Sequence, residues 1–546
     1  MPKKSFFDWS DFDEAEKEFK NYDCDGICLG SFCDFHVFCL DDDNIKKRVD
    51  YTPLKPNENE TFENFKNDLT INSEFIREGK NVPSRMRLIP KKDGGFHFGK
   101  MNHSDDFYVG KPQNEDGHII IIGGPGSSKT SAMVIPSLES WLGHIVIIDV
   151  KPKGDLLECC YSTGKQVLVF NPYKNDACGF DPFAFIRSDE KNNLARNVKE
   201  LALDLITLIP GGTDRVWVQS AQNLLAGIIA YHVNKDSTFS KAMEDIQLSP
   251  IKELIKTIKG SKNEIAQMFV SKLKGLKDET LAGIGMDFSD LAILAADPLV
   301  NVALSSEGKE KLINWHDLNT AITPAIYVLQ LPEENLDAWE PMSKLLLNQL
   351  IRTLQRRPDK YSKEGNALLP VLIQLEEFAS LGKINSIKSG LATLRSRNVT
   401  FSLVVQSLSQ LDEIYGPTAR RVIFDLCAYI VILKITDPES QKYCSELIGS
   451  LVVPNRSVSA SYKTNGGTKN YVFQINETRE PTIYPHEFAL LNDVVIMTPD
   501  GYIRIKKVPY YMSVDEPLIL LPQKKSFIVT EPLREPEKDV PYITST

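Results

Sequence analysis

The chain of 546 residues lacks any apolar run approaching the ~18 residues that a membrane-spanning helix needs. Its best candidate, residues 27–40, is shorter and contains Asp34 and His36. The first residues place charges on both sides of a few aromatic side chains, which is not the pattern of a signal peptide. We therefore expect a soluble protein, or one that touches a membrane only at its surface.

Cysteine is scarce, and its nine residues are scattered along the chain. An odd, scattered set does not form the framework of a secreted disulfide-rich domain. Four cysteines do lie near one another, Cys24, Cys28, Cys33 and Cys39. Their spacing does not match a CxxC zinc pattern, and no histidine pair completes one. We interpret them as buried thiols of a strand-rich segment, with metal binding as the alternative.

An excess of positive charge is also lacking, because the formal net charge is −10. This argues against a uniformly basic nucleic-acid-binding protein but leaves room for a local positive channel, since electrostatic steering depends on how charge is distributed. The hydrophobic share of 42% and the charged share of 25% are ordinary for a soluble globular protein. The length predicts roughly three to four domains, or fewer if one of them is large.

Residues 119–138 carry the most informative pattern that is present. An apolar run at 119–122 leads into a glycine-rich turn, then Lys129 and Thr130, then an apolar stretch that ends at Pro136. Strand, loop and helix in this order predict a P-loop, whose backbone N–H groups wrap a triphosphate at the positive end of the helix. Lys129 would reach the β- and γ-phosphates, and the Thr130 hydroxyl would bind Mg²⁺. The predicted nucleotide-binding residues are Gly123, Gly124, Pro125, Gly126, Ser127, Ser128, Lys129, Thr130 and Ser131.

One residue of this loop departs from the G-x-x-x-x-G-K-T pattern, because Ser128 stands where the second glycine is expected. Its Cβ atom would crowd a place where backbone approaches phosphate, although Gly124 and Gly126 keep the loop permissive. The alternative interpretation is an ordinary glycine-rich turn with a surface lysine. The strand before the loop and the helix after it favour the P-loop.

Strands and helices alternate along most of the chain, which predicts an α/β doubly wound core with a mostly parallel sheet. Apolar residues then recur at helical spacing from Leu194 to about Asn319, which predicts an all-helical insertion. Two late runs, 494–498 and 502–508, flank a Pro-Asp-Gly turn and predict a hairpin. The predicted core strands lie at 119–122, 145–148, 167–170, 325–331, 371–375, 401–407 and 429–435.

Two glutamates, Glu376 and Glu377, follow the apolar strand at 371–375. Open parallel sheets bind ligands at the carboxyl ends of their strands. We predict that Glu376 holds Mg²⁺ through water and that Glu377 polarises the attacking water. Most motifs of this kind begin with Asp, and the extra methylene of Glu376 would shift the metal. Taken alone, paired glutamates at a strand end are more often just solvated, but the upstream P-loop favours the functional interpretation.

Three further residues are candidates for phosphate chemistry. Gln406 stands at the end of the next strand, where a glutamine can sense the γ-phosphate or orient the attacking water. Arg395 and Arg397 lie on or just after a helix that leaves the glutamate strand. In ring ATPases an arginine at this place reaches the γ-phosphate of the neighbouring subunit. A surface arginine with ordinary polar contacts is the alternative, and it applies to Arg397 in particular.

These motifs, in this order, resemble the TraG/TraD conjugation ATPases, which are the coupling proteins of type IV secretion. The resemblance spans about residues 94–511 and includes an aspartate-lysine-glycine-acid motif after the second strand. Its members are Asp149, Lys153, Gly154 and Asp155. Further matching blocks are WVQSAQNLLAGIIAYH, LEEFASLGKI, VVQSLSQLDEIYG and TREPTIYPHEFALLNDVVIMTPDGYIRIKKVPYY. The resemblance implies that Lys129 and Thr130 bind ATP and Mg²⁺, that Glu376 and Glu377 form the Walker B pair, that Gln406 is the sensor and that Arg395 is the arginine finger.

The resemblance also implies a RecA-like P-loop NTPase fold with an inserted all-α domain, assembled as a homohexameric ring. The expected nucleotide-binding domain comprises residues 86–186 and 319–515, and the all-α domain comprises residues 187–318. Residues 1–85 would form an N-terminal appendage of unknown role, and the proline-rich, charged residues 516–546 would form a disordered tail.

The implied function is ATP hydrolysis that feeds a relaxase–single-stranded DNA complex to a type IV secretion channel. The family usually begins with transmembrane helices, which this sequence lacks, so we expect a cytoplasmic protein that is peripheral at the cytoplasmic face of the membrane and contacts it indirectly. Helical-domain lysines would contact DNA phosphates, or form a solvated face. They are Lys252, Lys256, Lys259, Lys272, Lys274 and Lys277.

Two other functions stay open from the sequence. One is a coupling ATPase for protein effectors, which would bind little DNA. The other is a docking receptor that binds ATP but hardly hydrolyses it. Ser128 and Glu376 favour the receptor. Hydrolysis is favoured by four intact residues, Lys129, Glu377, Gln406 and Arg395.

Overall fold

The computed structural model describes residues 37–40, 46–49, 87–90, 93–100, 107–152, 154–189, 191–206, 215–273, 275–359, 368–461, 470–499 and 501–511. Most of the expected N-terminal appendage and all of the expected tail lie outside these residues. So do Cys24, Cys28 and Cys33 of the cysteine cluster, together with Lys153 and Lys274. Among the described residues, no helix is both long enough and apolar enough to cross a bilayer.

The described residues contain sixteen strands. In chain order they are β1 Val37–Leu40, β2 Lys46–Val49, β3 Arg87–Pro90, β4 Gly95–Lys100, β5 Phe107–Pro112, β6 His118–Ile122, β7 His144–Asp149, β8 Gln166–Phe170, β9 Ala325–Gln330, β10 Val371–Leu375, β11 Val399–Val405, β12 Cys427–Ile432, β13 Ser450–Ser461, β14 Asn470–Pro481, β15 Asp493–Thr498 and β16 Gly501–Lys506.

Nine of these strands form the central sheet, in the order β16-β15-β12-β6-β11-β10-β7-β9-β8. The seven strands from β12 to β8 run parallel, whereas β15 is antiparallel to β12 and β16 is antiparallel to β15. The mostly parallel sheet predicted from the sequence is therefore confirmed. The β15–β16 pair is also the predicted hairpin, with Thr498 opposite Gly501.

The central strands are apolar on both sides because helices or further strands cover both faces of the sheet. In β6, Ile120 and Ile122 face one hydrophobic core, while Ile119 and Ile121 face the other, and all four are fully buried. Side chains alternate between the faces of a strand, so a continuous run of isoleucine serves both cores. Burying each such side chain contributes about 1.5–3 kcal/mol, and this fixes β6 in the middle of the sheet.

The helices of the described residues are, in chain order, α1 Ile135–Ser140, α2 Leu156–Ser162, α3 Ala184–Ser188, α4 Leu194–Leu205, α5 Arg215–Asn234, α6 Phe239–Leu248, α7 Ile251–Lys259, α8 Glu264–Val270, α9 Asp278–Met286, α10 Ile293–Ala296, α11 Pro298–Ala303, α12 Asp317–Thr320, α13 Glu340–Gln355, α14 Ile387–Leu394, α15 Leu408–Tyr415, α16 Pro417–Asp425 and α17 Pro438–Ile448. A π-helical turn, Thr130–Val134, leads directly into α1.

Helices α3 to α12 occupy the described chain between β8 and β9. They share one hydrophobic core with α13 and with one face of the sheet. A partly buried ion pair adds to this contact, because Arg352 of α13 donates to Asp204 of α4 at 2.7 Å. The proposed boundaries at residues 187 and 318 stay predictions, since packing is continuous across this region.

Two β elements of the structure were not predicted from the sequence. Strands β3, β5 and β4 form a small antiparallel sheet, and Phe96 and Phe98 of β4 pack into the core beside α1. Strands β13 and β14 pair along twelve residues each as a long hairpin. The β13 sequence contains Pro454 followed by Asn455 and Arg456. A proline inside an apolar run argues against a strand, so this sequence gives a weak strand signal.

Candidate functional site

The predicted P-loop connects β6 to the π-helical turn at Thr130 and is anchored by its neighbours. The Gly123 N–H donates to the carbonyl of Val405 at 3.1 Å, and the Gly124 N–H donates to the carbonyl of Lys434 at 2.8 Å. Both acceptors lie at or just beyond the ends of the strands that flank β6. The strands on either side of β6 therefore determine where the loop begins.

Ser128 adopts a left-handed backbone conformation with φ +66°, close to that of Gly126 at +69°. A residue with a Cβ atom in this region costs on the order of 1–3 kcal/mol. The serine thus retains the backbone shape that glycine adopts without strain. The replacement of the second P-loop glycine by Ser128 therefore puts backbone strain at one residue and leaves the shape of the loop unchanged.

The Lys129 ammonium is held within the loop by two backbone carbonyls. Its Nζ atom donates to Gly123 O at 2.5 Å and to Gly124 O at 3.1 Å. The side chain is buried, and this burial lowers the pKa of Lys129, while the negative charges of Glu377 and Glu376 oppose that shift. A buried ammonium next to a loop of backbone N–H groups forms a site for an anion.

Thr130 and Glu376 meet although 246 residues separate them in the chain. The Thr130 hydroxyl donates to Glu376 Oε2 at 3.1 Å, and the Gln374 amide donates to Glu376 Oε1 at 3.1 Å. Burial is the main cause that raises the pKa of Glu376 to about 7, and the charge of Glu377 adds to the effect, whereas the two hydrogen bonds oppose it. The carboxyl group is therefore close to its titration point at neutral pH.

Hydroxyl and carboxylate oxygens are the ligands that Mg²⁺ prefers, and the ion usually keeps waters and binds phosphate as well. Thr130 and Glu376 supply one oxygen of each kind at one place. No group of three His, Cys, Asp or Glu side chains suited to a metal occurs among the described residues. The pair therefore fits a magnesium ion that takes its other ligands from water and phosphate.

Glu377 is held by a contact at each of its carboxylate oxygens. Its Oε2 atom accepts from the Gln406 amide at 2.8 Å, and its Oε1 atom pairs with Lys151 Nζ at 3.0 Å. Its backbone is left-handed, with φ +49°. The structure thus brings together the two residues predicted from the ends of β10 and β11, and it adds a lysine.

Lys151 was missed in the sequence analysis. It follows β7 by two positions, and its N–H donates to Asp149 Oδ1 at 3.0 Å, which shapes the turn after the strand. Asp149 is buried, and burial raises its pKa. The sequence did contain a signal for Lys151, which is its position just after the buried strand β7. Residues that follow adjacent parallel strands meet at the same edge of the sheet.

A cavity of about 450 Å³ joins these groups at the carboxyl edge of the sheet. It brings together Glu376, Glu377 and Gln406 with seven of the nine predicted loop residues, while Gly123 and Gly124 form the base of the loop. Its lining residues are Pro125, Gly126, Ser127, Ser128, Lys129, Thr130, Ser131, Ile135, Asp149, Val150, Lys151, Gly154, Asp155, Leu156, Glu376, Glu377, Gln406, Tyr510 and Tyr511.

Arg395 lies away from this cavity, at the opposite edge of the sheet. It precedes β11, and its charge lowers the pKa of His118, the first residue of β6, although burial of His118 is the larger cause. Arg395 is exposed, whereas Arg397 donates to the carbonyls of Gln355 and Arg357. The geometry agrees with a structural role for Arg397, and Arg395 would have to act on another copy of the chain.

The helical-domain lysines occupy solvent-facing positions. On α7 the buried face consists of Leu254, Ile255 and Ile258, whereas Lys252 and Lys256 are exposed. Lys272 and Lys277 are exposed as well. Both interpretations of these lysines, a phosphate contact and a solvated face, fit this placement.

A family model and several known proteins are similar to this chain in sequence. The family model described as Type IV secretory system Conjugative DNA transfer matches residues 64–535. Protein VirD4 of Agrobacterium fabrum is 26% identical over 412 residues, which are 73% of this chain and 59% of that protein. Conjugal transfer protein TraG of the same organism is 23% identical over 385 residues, which are 68% of this chain and 56% of that protein. The chain thus spans less than two thirds of the length of these relatives.

Solved structures share the fold at low sequence identity. The bacterial conjugative coupling protein TrwBΔN70 in a trigonal form with sulfate has a TM-score of 0.57 at 15% identity, covering 82% of this chain and 94% of its own. The plasmid coupling protein TrwB in complex with ADP and Mg²⁺ has a TM-score of 0.55 at 16% identity, covering 73% of this chain and 87% of its own. The predicted α/β, RecA-like fold class is therefore confirmed.

The strain at Ser128 yields a first prediction. Ser128→Gly should raise the free energy of unfolding by about 1 kcal/mol, because relief of 1–3 kcal/mol of strain outweighs the extra unfolded-state entropy of glycine. Ser128→Ala is the matched control, since it keeps the Cβ atom and should bring no gain. Urea unfolding of the nucleotide-free protein measures both, and equal stability of the two variants would contradict the strain.

The buried carboxyl of Glu376 yields a second prediction. Its folded pKa of about 7 exceeds the reference value of 4.5, so its contribution to stability is full below about pH 4.5 and is lost as pH rises through about 7. Glu376→Gln cannot ionise, and the Gln374 amide can turn to accept from it. The variant should therefore be more stable than the wild type at pH 8, by on the order of 2 kcal/mol, and similar at pH 5.

Urea unfolding at both pH values, without nucleotide or Mg²⁺, measures this difference. Exposed Glu334 lies outside the cavity, so Glu334→Gln serves as the control and should change stability little at either pH. A Glu376→Gln effect of the same size at pH 5 and pH 8 would show that ionisation is not its cause.

Proposed function

The chain belongs to the family of type IV secretory system proteins for conjugative DNA transfer, and on that basis we propose that it is an ATP-hydrolysing coupling protein. One observation carries the proposal: the P-loop, the Glu376–Glu377 pair and Gln406 converge on one cavity. A P-loop alone would support nucleotide binding, whereas hydrolysis also needs a group that activates water.

The proposed substrate is ATP, with Mg²⁺ as cofactor. The backbone N–H groups of the loop and the Lys129 ammonium would bind the phosphates, and Thr130 and Glu376 would hold the metal. Mg²⁺, when bound, would neutralise charge that develops on the phosphate oxygens. TrwB, which shares the fold, has been solved with ADP and Mg²⁺ and with a non-hydrolysable ATP analogue.

Glu377 would act as the general base, and Gln406 would orient the attacking water or sense the γ-phosphate. In the structure each carboxylate oxygen of Glu377 has a partner, Gln406 on one side and Lys151 on the other. Lys151 is more than half exposed, so it can leave this contact at little cost in burial. Hydrolysis would require Glu377 to exchange the Lys151 contact for a water.

Arg395 would act on the site of a neighbouring copy, because it lies at the edge of the sheet opposite to its own cavity. Such a contact joins two different surfaces of adjacent copies. Repeated contacts of this kind close into a ring when the rotation between neighbouring copies divides a full turn. On this basis, and from the family of the chain, we propose a homohexameric ring. The nucleotide-binding domain would comprise residues 86–186 and 319–515, and the helical residues 187–318 would contact the transported substrate.

The proposed substrate complex is single-stranded DNA with its relaxase, and the proposed receiver is a type IV secretion channel. The curated relatives are named for conjugal transfer and for type IV secretion. The exposed lysines of the helical residues would bind DNA phosphates, which confer affinity without sequence specificity. The protein would work at the cytoplasmic face of the membrane, in indirect contact with it.

A second candidate function is an ATP-binding docking receptor with little hydrolysis. It is favoured by the strained Ser128 and by the Lys151–Glu377 ion pair, which occupies one oxygen of the proposed base. A coupling ATPase for protein effectors is a third candidate, consistent with the net charge of −10. A measurement of ATP turnover separates the docking receptor from our proposal. A measurement of DNA binding separates the coupling ATPase for protein effectors from it.

ATP turnover with and without single-stranded DNA tests the proposal. We expect DNA-stimulated turnover in the wild type and loss of nucleotide binding in Lys129→Ala. Glu377→Gln should still bind ATP but hydrolyse it roughly 10²- to 10⁴-fold more slowly, because it lacks the general base. Wild-type binding without turnover, even with DNA present, would support the receptor.

DNA binding, measured at several salt concentrations, tests whether the transported substrate contains DNA. Phosphate contacts release counterions, so binding to single strands should weaken steeply as salt rises. The effector function instead predicts little DNA binding, together with recovery of a protein partner by pulldown.

The proposed role of Arg395 in a neighbouring site is testable by mixing two inactive variants. Arg395→Ala should reduce turnover by roughly 10³-fold or more, and Lys129→Ala should abolish it. Co-expressed in equal amounts, the two should restore roughly a quarter of wild-type turnover, because one interface in four pairs an intact Lys129 with an intact Arg395. Arg397→Ala is the control for loss of a nearby arginine.

Full turnover by Arg395→Ala alone would remove this residue from the mechanism. Loss of turnover in Arg395→Ala without any restoration in the mixture would mean that the arginine serves its own chain.

A further inference from the structure

The chain returns to the P-loop after the last strand of the sheet. Lys507 donates from Nζ to the carbonyl of Ser127 at 3.1 Å, and the Tyr510 N–H donates to the carbonyl of Ser131 at 2.8 Å. These acceptors lie on either side of Lys129 in the sequence. Residues 507–511, here termed the return segment, are therefore attached to the P-loop at two points.

The return segment is also attached across the cavity. The Tyr510 hydroxyl donates to Asp155 Oδ2 at 2.7 Å, and Asp155 precedes α2 on another wall. This contact holds the Tyr510 ring against the cavity wall. Tyr511 follows, with its ring edge-on to Tyr510 at a centroid distance of 5.3 Å and an interplanar angle of 79°.

Tyr511 lines the cavity and yet leaves 63% of its surface accessible. An aromatic ring that follows an anchored residue and keeps an accessible surface at a cavity wall is suited to stacking against a flat ligand. Tyr161 of α2 is comparably exposed, at 58%, but it does not line the cavity. Tyr511 is therefore a candidate for ligand contact because it lines the cavity, and not because it is exposed.

Two kinds of group line the cavity. The loop N–H groups, Lys129 and the carboxylates form its charged lining. Tyr510, which contacts Ser131 and Asp155, and Tyr511 add aromatic rings, and Ile135 and Leu156 add apolar atoms. A nucleoside triphosphate has the same division, with charged phosphates at one end and a flat base at the other.

We propose that the Tyr511 ring stacks against the base of a purine nucleoside triphosphate whose phosphates lie in the P-loop. This inference rests on the proposed function, because it requires the loop to bind a triphosphate. Stacking does not distinguish the edges of bases, since every base has a π face. The carboxylate beside the tyrosines, Asp155, already accepts from Tyr510. Adenine and guanine nucleotides should therefore gain equally from Tyr511.

Calorimetric titration of the full chain tests this inference with three probes: ATP, GTP and inorganic tripolyphosphate, each with Mg²⁺. Tyr511→Ala should weaken the binding of ATP and GTP by a similar factor, roughly 10- to 100-fold, as loss of one stacked base implies. Tripolyphosphate has no base, so its affinity should not change. Tyr511→Phe keeps the ring and should bind all three probes like the wild type.

Tyr161→Ala is the matched control for loss of an exposed tyrosine and should leave all three affinities unchanged. Thermal unfolding of each variant confirms that it is folded. Lys129→Ala should weaken tripolyphosphate and both nucleotides alike, which shows that the phosphates occupy the loop.

Unchanged ATP affinity in Tyr511→Ala would overturn the stacking role and leave the proposed function intact. An equal loss for tripolyphosphate would also overturn it, because the residue would then act through the shape of the loop. A much larger loss for one purine than for the other would contradict the lack of base selection. Failure of the wild type to bind any of the three probes would overturn the proposed function itself.

Discussion

The parallel register of four neighbouring strands is the constraint on which the site depends. Leu375 of β10 lies opposite Leu403 of β11 and Ile148 of β7, and Val405 of β11 lies opposite Ile122 of β6. Up to these positions, both faces of every strand are buried. The first polar residues beyond them therefore emerge side by side at one edge of the sheet. The P-loop, Gln406, the glutamate pair and Asp149 share this origin.

Opposite charges meet at this edge. Lys151 pairs with Glu377, and Lys129 donates to two carbonyls of the loop. Glu376 accepts from Thr130, so each of these groups has a defined partner. Polar groups held in place by such contacts need little reorganisation when a charged ligand arrives, and this favours electrostatic stabilisation. The Lys151–Glu377 pair is the contact that would have to change for the proposed hydrolysis, because Glu377 would need a water in place of Lys151.

Sequence analysis predicted the features that rest on local pattern. The seven parallel strands follow from β-branched runs between turns, and the loop and the strand-end residues follow from motifs. Contacts made by segments remote in the chain could not be derived in this way. Lys151 meets Glu377 across 226 residues, and Tyr510 reaches Asp155 across 355. The β13–β14 hairpin was missed because Pro454 and the polar residues after it, Asn455 and Arg456, resemble loop sequence.

The order of the strands in the sheet has a consequence for folding during synthesis. β6, β7 and β8 are the first strands of this sheet to be made, yet no two of them are neighbours. β7 and β8 pair with β9, which follows all of the helices α3 to α12, and β6 pairs only with β11 and β12. Non-local pairing of this kind is slow and leaves apolar strands exposed while they wait. The strand that carries the P-loop is thus made before all of its partners in the sheet, so its apolar side chains are open to aggregation until most of the chain has been made.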